Sequence, residues 1–432
     1  MKEMFANDLR GKKLLYLGGI PRARYVVNRA RELGIYVIVA DFDPNSSAKK
    51  VADEGVLINA IDVDALEKFG REQKIDGVMT GYVDMLMGVC YELSKRLGIP
   101  YFYTDEMLRA ATDKEFFKEL SNKYSVPVPQ TYHVNKDNLK ESASRLNYPV
   151  FMKPLDGSGS RGASVCNHIE DFEKQYNYAL SFSKKGIVTV EDFLQGTEFI
   201  LDYLLIDGEP YLASFADRYT TESRGAAINH PNLMVFPSKY LKKYNEEVNP
   251  KVVNMFKKSG FNNGVIFLQG YSNEKSITFY ETGCRLGGTW PYIDEYFHKV
   301  NPLDMLFHQA ITGKMLPKGV NPNISANFKG NAAVIYFVSL EPEGEIAKIK
   351  GIAELNHLPY VVSLMQYYYE GDHFKLNTLT DVLFLAVHLV ADDFEQLKER
   401  VNNIYSMVDY LDKDGKSLLC PVFDVDKLEG YK

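Results

Sequence analysis

The sequence predicts a multidomain fold: an N-terminal parallel α/β unit, two α+β lobes and a small C-terminal α+β domain. Apolar runs alternate with helical periodicity over the first 105 residues, and antiparallel strand pairs with short turns follow from about residue 113. The strand pattern restarts after residue 320. With 432 residues, the chain is long enough for about three domains, each with its own core.

The N-terminal unit alternates predicted strands and helices. Its first apolar run, at 12–17, ends at Gly18-Gly19, and its second, at 35–41, ends in Asp41. Further strands are expected at 56–59, 77–81 and 101–103, and helices at 22–33, 62–73 and 91–100. This alternation implies a parallel sheet with helices on both faces. The GGIP turn lacks the GxGxxG fingerprint, so an NAD enzyme is the less favoured interpretation.

The later segments predict antiparallel structure. A helix from about 113 ends before Val126-Pro127, because proline cannot continue a helix. Strands are expected at 149–152, 187–190, 198–206, 264–271 and 276–282, with hairpin turns at Asp207-Gly208 and at SNEK. Three C-terminal strands, at 331–340, 347–352 and 360–369, precede a helix at 393–406. The predicted division is 1–112, 113–204, 205–322 and 323–432.

Composition narrows the classes of protein and of site. Fifty Lys and Arg against 57 Asp and Glu give a net charge of −7, which argues against general nucleic-acid binding. The four cysteines form no CxxC pair, so neither a zinc cage nor a disulfide framework is expected. The N-terminus has no signal-peptide core, and no apolar stretch reaches the length of a membrane span. We therefore expect a soluble cytoplasmic protein with neither nucleic-acid nor membrane partners.

A glycine-serine loop at 157–162 (GSGSRG) is typical of a phosphate site. Its glycines allow backbone N–H groups to face an anion, Ser158 and Ser160 add hydroxyl donors, and Arg161 adds charge. Lys153 would emerge from a strand end beside this loop, and Lys114 follows Asp113 at the start of the lobe. The alternatives are a flexible surface hairpin and ordinary solvated lysines.

Carboxylates flank two predicted turns. Glu191 and Glu198 lie on either side of the Gly196 turn, where they could bind an amine and sugar hydroxyls, or else be solvated. Gln269 and Glu281 are 12 residues apart across the SNEK hairpin, and an even separation puts both side chains on one face only with an irregular register. We predict that irregularity.

Arg285 follows Glu281 in TGCRLGG, where a Mg²⁺ ligand and a nearby cation would neutralise a phosphate being transferred. A buried structural Glu–Arg pair is the alternative. Cys284 is expected to be a small buried cysteine rather than a nucleophile. The polar stretch 217–232 offers Arg224 to clamp a carboxylate and His230 as a base, or is simply a surface loop.

In this order, the motifs resemble the ATP-grasp superfamily, most closely its biotin carboxylase, carbamoyl-phosphate synthetase large-subunit and L-amino acid ligase branch. The likeness covers nearly the whole chain, through Asp113-Lys114, YPVFMKPLDGSGSRGASV, VEDFLQGTEF, FYETGCRLGG and EPEGEIAKIKGIAEL. It implies a Rossmann-like N-terminal unit, an ATP-grasp fold whose small lobe carries a flap over the phosphates and whose large lobe carries a metal site, and a last α+β domain. It also implies a homodimer.

The resemblance implies roles for individual residues. Lys114 and Lys153 would bind the ATP phosphates, under a flap formed by Ser158, Gly159, Ser160, Arg161 and Gly162. Glu191 and the backbone of Phe193 and Leu194 would hold adenine, and Glu198 would hold the ribose. Glu281, together with Gln269, would bind Mg²⁺, and Arg285 would steady the acyl phosphate or its nucleophile.

Two departures bear on activity. The family usually has a carboxylate where this chain has Gln269, and an asparagine where it has Gly283. The function expected is an ATP-dependent carboxylate–amine ligase that forms ADP and phosphate through an acyl phosphate, acting on an amino acid or a similar small carboxylate. The alternatives are a carboxylase-like or carbamoyl-phosphate-synthetase-like enzyme that activates bicarbonate, and a non-catalytic ATP-binding relative.

Overall fold

The structure, a computed structural model, describes residues 1–156, 162–220, 231–288, 290–376 and 382–431. Within these ranges, no helix combines the length and the apolar character needed to cross a bilayer. Short 3₁₀ helices lie at Lys49–Val51, Ile169–Asp171 and Val425–Lys427. The other elements form three groups, each built around a sheet.

The N-terminal group is a parallel sheet with surrounding helices, as predicted. Its elements are α1 (Lys2–Leu9), β1 (Lys13–Leu17), α2 (Ala23–Glu32), β2 (Tyr36–Ala40), β3 (Glu54–Val56), α3 (Val63–Gln73), β4 (Gly77–Met79), α4 (Asp84–Leu97) and α5 (Asp105–Thr112). The strands lie in the order β3-β2-β1-β4 and all pair in parallel. Residues 14–17 of β1 are buried, which explains why the strand reads as a continuous apolar run.

Three elements of this group differ from the sequence-based prediction. The strand expected at 56–59 lies at Glu54–Val56, and the helix expected at 91–100 begins already at Asp84. The segment 101–103 is not a strand. Phe102 and Tyr103 are buried in the main hydrophobic core. The aromatic residues of this segment therefore reflect packing in the core and not pairing in a sheet.

The second group is a small antiparallel lobe. It consists of α6 (Lys114–Lys123), β5 (Thr131–Tyr132), α7 (Leu139–Ser144), β6 (Val150–Pro154), β7 (Ser164–Cys166), α8 (Phe172–Ser181) and β8 (Val188–Asp192). The sheet order is β5-β8-β6-β7. Because β8 lies between β5 and β6, its polar side chains meet those of β6 and α6 at one face.

The third group is built on an eight-stranded sheet. Its elements are β9 (Thr197–Ile206), β10 (Glu209–Thr220), β11 (Pro231–Phe236), α9 (Leu241–Glu247), α10 (Asn249–Lys258), β12 (Gly264–Ser272), β13 (Ile277–Gly283), α11 (Pro291–His298), α12 (Pro302–Thr312), β14 (Asn331–Val338), β15 (Glu343–Glu345), β16 (Lys348–Lys350), α13 (Ile352–Leu355), β17 (Val361–Gln366), β18 (His373–Lys375), β19 (Leu383–Ala391), α14 (Phe394–Met407) and β20 (Asp409–Leu411). The strands run β13-β12-β9-β10-β11-β14-β19-β17.

This sheet crosses two of the expected domain boundaries. The division at 204 falls inside β9, which pairs with β10 and β12 over its full length. The division at 322 separates β11 from β14, yet these two strands are hydrogen-bonded neighbours. The C-terminal strands β14, β19 and β17 therefore extend the same sheet that carries the candidate site.

A buried ion pair joins the N-terminal group to the third group. The Arg29 side chain, on α2, donates from Nε to Asp304 Oδ1 at 2.7 Å and from Nη2 to Asp304 Oδ2 at 2.8 Å, and Nη2 also donates to Glu295 Oε1 at 2.6 Å. Arg29 and Asp304 are both buried. Because a bidentate, desolvated pair fixes orientation as well as distance, it holds the N-terminal sheet against α11 and α12.

Candidate active site

Two lysines of the small lobe share one buried glutamate. Glu191, on β8, is 2% exposed, and its Oε1 lies 2.6 Å from Lys153 Nζ on β6, while its Oε2 lies 3.1 Å from Lys118 Nζ on α6. Burial alone would raise the pKa of Glu191, but the attraction of Lys153 and Lys118 outweighs it, so that the pKa is lowered. The group therefore carries two ammonium charges against one carboxylate and suits an anion.

Lys118 was not singled out by the sequence analysis. It lies four residues after Lys114 on the same helix, so the i, i+4 rule was the available signal. Burial lowers the pKa of the Lys118 ammonium, in part against the pull of Glu191. Lys114 instead reaches across to the large sheet, where its Nζ is 3.5 Å from Glu281 Oε1 and half-exposed. The phosphate role of Lys114 stays a prediction.

A cavity of about 410 Å³ lies where the small lobe meets the large sheet. It is lined by Val128, Pro129, Tyr148, Pro149, Asp192, Phe193, Leu194, Gln195, Tyr271, Asn273, Ser276 and Thr278. The Phe193 N–H donates to Pro149 O at 3.4 Å, whereas the N–H and carbonyl of Leu194 have no partner among the described residues. A flat ring with a donor and an acceptor on one edge fits this hinge.

Glu198 accepts hydrogen bonds within a polar group that spans four consecutive strands, β13, β12, β9 and β10. Its Oε1 accepts hydrogen bonds from Arg218 Nη1 at 2.7 Å, Gln269 Nε2 at 2.9 Å and Tyr280 Oη at 2.6 Å. Arg218 offsets the Glu198 charge in a largely buried setting. Three donors on one oxygen fix this side chain, and its other oxygen remains for a ligand hydroxyl.

The predicted irregularity between Gln269 and Glu281 is confirmed. The two residues are direct partners on β12 and β13, and the register shifts between Gln269 and Gly270. Since the Gln269 amide nitrogen donates to Glu198, its carbonyl oxygen is the end left for a ligand. No cluster of three or more His, Cys, Asp or Glu side chains gathers as a metal site in the described ranges. A hard cation here would depend on Glu281, on the Gln269 carbonyl and on ligand oxygens.

Replacing Gln269 by glutamate is expected to destabilise the protein by about 1 to 3 kcal/mol without Mg²⁺. The change removes the N–H donor 2.9 Å from Glu198 and puts a like charge in its place. Chemical denaturation measures the loss, and added Mg²⁺ should recover part of it. The apolar Gln269→Met variant is the control, because it removes the donor without adding charge. Equal stability of wild type and Gln269→Glu would contradict this account of the Gln269 amide.

Arg285 lies in the loop after β13 and pairs with the N-terminal group. Its Nε and Nη2 donate to Asp84 Oδ1 at 2.6 Å and Oδ2 at 2.9 Å, and its Nη1 donates to Leu286 O at 2.9 Å. The acid partner of Arg285 is thus Asp84, not Glu281, and the buried Glu281–Arg285 pair considered above does not form. Asp84 is the first residue of α4, a position that local sequence could not connect to Arg285.

Cys284 is buried, as expected. Its Sγ donates to Met107 O at 3.1 Å, and burial raises the pKa of the thiol. A neutral, enclosed thiol is a poor nucleophile.

Several predicted site residues lie outside the described ranges. They are Ser158, Gly159, Ser160, Arg161, Arg224 and His230. Gly162 is described and has a φ of +76°, with the Phe182 ring packed where a side chain would stand. Only glycine accommodates both conditions at this end of the loop.

Two buried carboxyl groups lie beneath the loop that follows Arg285. Asp202, on β9, lies against Gly287, and burial raises its pKa to about 7. Asp294, on α11, has its pKa raised by burial and by Asp202. The Trp290 indole between them donates to Ser214 Oγ at 3.1 Å. Burial therefore favours the protonated form of both carboxyl groups.

Asp202 makes stability depend on pH. Its folded pKa, about 7, lies above the ordinary value near 3.9, so its contribution is complete below that ordinary value and is lost as the pH rises through 7. The free energy of unfolding should fall by up to about 1.4 kcal/mol per pH unit in that window. Denaturation of Asp202→Asn between pH 5 and 8 should give a flatter dependence, whereas the exposed Asp64→Asn should match wild type. If the free energy of unfolding depended on pH equally in Asp202→Asn and in wild type, Asp202 would not be the source of the pH dependence.

The candidate site thus combines a hinge cavity, a two-lysine anion group, an oxygen-rich pair of strands and an arginine from the following loop. Glu191, Lys153, Glu198, Gln269, Glu281 and Arg285 all lie on β6, β8, β9, β12, β13 or the loop after β13. The structure brings these residues to the face between the small lobe and the large sheet. Their individual roles remain predictions.

Comparison with known proteins identifies relatives of this region. The family model of the carbamoyl-phosphate synthase L chain, ATP binding domain, matches residues 113–286. A formate-dependent phosphoribosylglycinamide formyltransferase from Prochlorococcus marinus is 29% identical over 187 residues, 42% of this chain and 48% of the relative. The chain thus spans about half the length of the curated relatives it matches.

Solved structures share the fold over nearly the whole chain. The L-amino acid ligase from Bacillus licheniformis superposes with a TM-score of 0.72 at 16% identity, covering 94% of this chain and 99% of that one. The biotin carboxylase domain of 2-oxoglutarate carboxylase from Hydrogenobacter thermophilus, solved with MgADP, ADP and bicarbonate, has a TM-score of 0.76 at 18% identity. It covers 93% of this chain and 91% of that one.

Proposed function

Because this chain belongs to the ATP-grasp superfamily, we propose that it is an ATP-dependent carboxylate–amine ligase that forms ADP and phosphate. The observation that carries the proposal is the Lys118–Glu191–Lys153 group beside the hinge cavity. Two ammonium groups on one buried carboxylate provide a fixed positive site for the phosphates of a nucleotide. The relatives act on small molecules, which supports a small carboxylate and an amine as substrates.

The residues present fit ATP and Mg²⁺. The N–H and carbonyl of Leu194, which have no partner in the described part of the chain, suit an adenine edge, and the second oxygen of Glu198 suits a ribose hydroxyl. Glu281 and the Gln269 carbonyl offer hard oxygen ligands, and Mg²⁺ bound there would neutralise phosphate charge. A solved relative holds MgADP. Because the carboxylate of Glu281 is present as a metal ligand, the site favours a catalytic enzyme over the non-catalytic ATP-binding relative.

The chemistry requires positioning rather than covalent help from the protein. A substrate carboxylate oxygen attacks the γ-phosphorus, the bond to the ADP oxygen breaks, and an acyl phosphate results. The amine nitrogen then attacks the acyl carbon, phosphate leaves, and the nitrogen loses a proton. Lys153 and Lys118 bind the phosphate oxygens, and Arg285 binds the acyl group or its phosphate.

The test is the fate of the nucleotide. The protein is incubated with ATP, Mg²⁺ and pooled amino acids and small carboxylates, and ADP, AMP and phosphate are separated by chromatography. ADP and phosphate that depend on substrate support the proposal, and mass spectrometry of the same mixture identifies the product. AMP with pyrophosphate would indicate adenylation and refute it. ADP formation that requires bicarbonate would instead favour the carboxylase-like alternative.

A further inference from the structure

Two carboxyl oxygens are buried without a partner beneath the loop that carries Arg285. Asp202, on β9, and Asp294, in the first turn of α11, are 4% and 2% exposed. The Oδ1 atom of each has no hydrogen-bond partner among the described residues. A buried acceptor without a donor costs free energy, so two of them in one place require an explanation. A shared proton provides one, because it turns one carboxyl group into the donor that the other lacks.

The two carboxyl groups lie close enough to act on each other electrostatically. Burial raises the pKa of Asp294, and the charge of Asp202 raises it further. His298 Nε2 lies 3.7 Å from Asp294 Oδ1, but it donates to Ala213 O at 2.9 Å, and burial lowers the pKa of the ring. His298 is therefore neutral and gives Asp294 no counter-charge. Like charges repel strongly in a low-dielectric interior, so the two carboxyl groups do not both ionise near neutral pH.

The surroundings decide which of the two groups keeps the proton. Burial raises the pKa of Asp202 to about 7, although Trp290, the Arg285 guanidinium and the Gly287 N–H favour its ionised form. For Asp294, burial and the Asp202 charge both favour the protonated form. The proton therefore resides on Asp294, whose hydroxyl donates to the Asp202 carboxylate.

Asp202 is also the contact between this pair and the Arg285 loop. A side chain at Gly287 would stand 2.6 Å from Asp202 Oδ1, so the backbone of the loop lies directly on this carboxyl group. Gly287 is two residues after Arg285, whose Cζ lies 5.0 Å from the centre of the Phe267 ring. Phe267 is in turn a strand partner of Asp202. An ionised Asp202 thus holds the loop at its backbone, and Arg285 with it.

We propose that Asp202 and Asp294 share one proton, and that the ionised Asp202 positions the Arg285 loop for transfer of the acyl group. The second part rests on the proposed function, in which Arg285 binds the acyl group or its phosphate. Asp202 is a positioning residue, since it contacts the loop and not the substrate. As the pH falls through about 7, Asp202 becomes protonated and its attraction for the Gly287 N–H and for Arg285 is lost.

Infrared spectroscopy tests the shared proton without any ligand. A carboxylic acid has a C=O absorption band that a carboxylate lacks, and exposed carboxyl groups are ionised at pH 8, since their ordinary pKa is about 4. The wild-type protein should show this band at pH 8, Asp294→Asn should lose part of it, and Asp202→Asn should keep it. An equal band in Asp294→Asn and in wild type would overturn the shared proton.

The fluorescence of Trp290, the single tryptophan, tests the contact with the loop. Its indole lies beside Asp202 and follows the Arg285 loop. Its emission should change with a midpoint near pH 7, and Asp202→Asn should abolish this change, whereas the exposed Asp64→Asn should keep it. A wild-type emission that does not change between pH 5 and 9 would overturn the link between Asp202 and the loop.

Two variants at position 294 separate positioning from simple structural support. Asp294→Leu removes the donor, so the rise of ADP formation with pH should move upward by about one to two pH units. Asp294→Asn, whose amide also donates, should recover the wild-type profile. Asp202→Asn should lower kcat about tenfold or more and leave the Kd for ATP unchanged. Equal tolerance of asparagine at both positions would overturn the positioning role. If wild type forms no ADP with any acid, the proposed function fails, and the infrared and fluorescence results still decide this inference.

Discussion

Replacing Glu281 by glutamine is expected to lower the rate of ADP formation by about 10²- to 10³-fold. Of the acidic and amide side chains on these strands, Gln269 is uncharged and the Glu198 charge is offset by Arg218 at 2.7 Å. Glu281 is then the carboxylate available to hold Mg²⁺ against the phosphates. Lys114 Nζ lies 3.5 Å from Glu281 Oε1 and is half-exposed, so it offsets the Glu281 charge less than Arg218 offsets the Glu198 charge. The loss should be accompanied by a higher Mg²⁺ requirement.

The measurement is ADP release at saturating ATP over a Mg²⁺ titration. Glu274→Gln, on the exposed turn of the same hairpin, removes an equal charge away from Gln269 and should behave as wild type. Both variants should unfold at wild-type temperature, since neither side chain is buried. A Glu281→Gln rate within a factor of two of wild type would remove Glu281 from the metal site and weaken the ligase proposal with it.

The hairpin that carries Glu281 shows what sequence can predict of a site. The 12-residue separation between Gln269 and Glu281, together with the period of two along a strand, requires a shift in register, and the bulge after Gln269 supplies it. The Asp207-Gly208 turn follows from composition in the same way, since both residues adopt positive φ. Such features depend on neighbours in sequence, which is why they could be predicted.

Contacts between distant segments could not be predicted in this way. Nothing near Asp84 indicates that it pairs with Arg285, 201 residues away. The most apolar C-terminal strand, β19, was missing from the predicted elements, although it joins β14 and β17 to the large sheet. Its burial on every position resembles a buried helix as much as a central strand. The expected boundary at 322 likewise depends on contacts between distant segments, because β14 pairs with β11 on one side and with β19 on the other.

Lys118 is the clearest candidate site residue that sequence reasoning left out. The Asp113-Lys114 motif directed attention to the first lysine of α6, yet the helix turns the second one toward Glu191. Glu191 itself was expected beside adenine, but its side chain is engaged by Lys118 and Lys153. Only its backbone, in the strand that leads to Phe193 and Leu194, remains near the hinge cavity. For both Lys118 and Glu191, the contacts depend on the direction of the side chain. That direction follows from packing and not from the spacing of residues in the sequence.

Replacing Lys153 by methionine is expected to weaken ATP binding by about ten- to 150-fold, the effect of losing one charge-assisted contact of about 1.5 to 3 kcal/mol. The same change leaves the buried Glu191 with Lys118 alone, so the free energy of unfolding should also fall, by about 1 to 3 kcal/mol. Calorimetric titration with ATP and chemical denaturation measure the two losses. Lys174→Met, at an exposed position of α8, should change neither.

The double variant Lys153→Met/Glu191→Gln separates the two effects. It restores the net charge of the Lys118–Glu191–Lys153 group, because one ammonium and one neutral amide replace two ammonium groups and a carboxylate. Stability should therefore recover, since no carboxylate is left buried with a single partner. ATP affinity should stay low, because a phosphate oxygen is bound by an ammonium at a given position and not by the summed charge. If ATP affinity recovered together with stability, Lys153 would be a structural partner of Glu191, and the phosphate site would have to be sought at Lys118 and Lys114 instead.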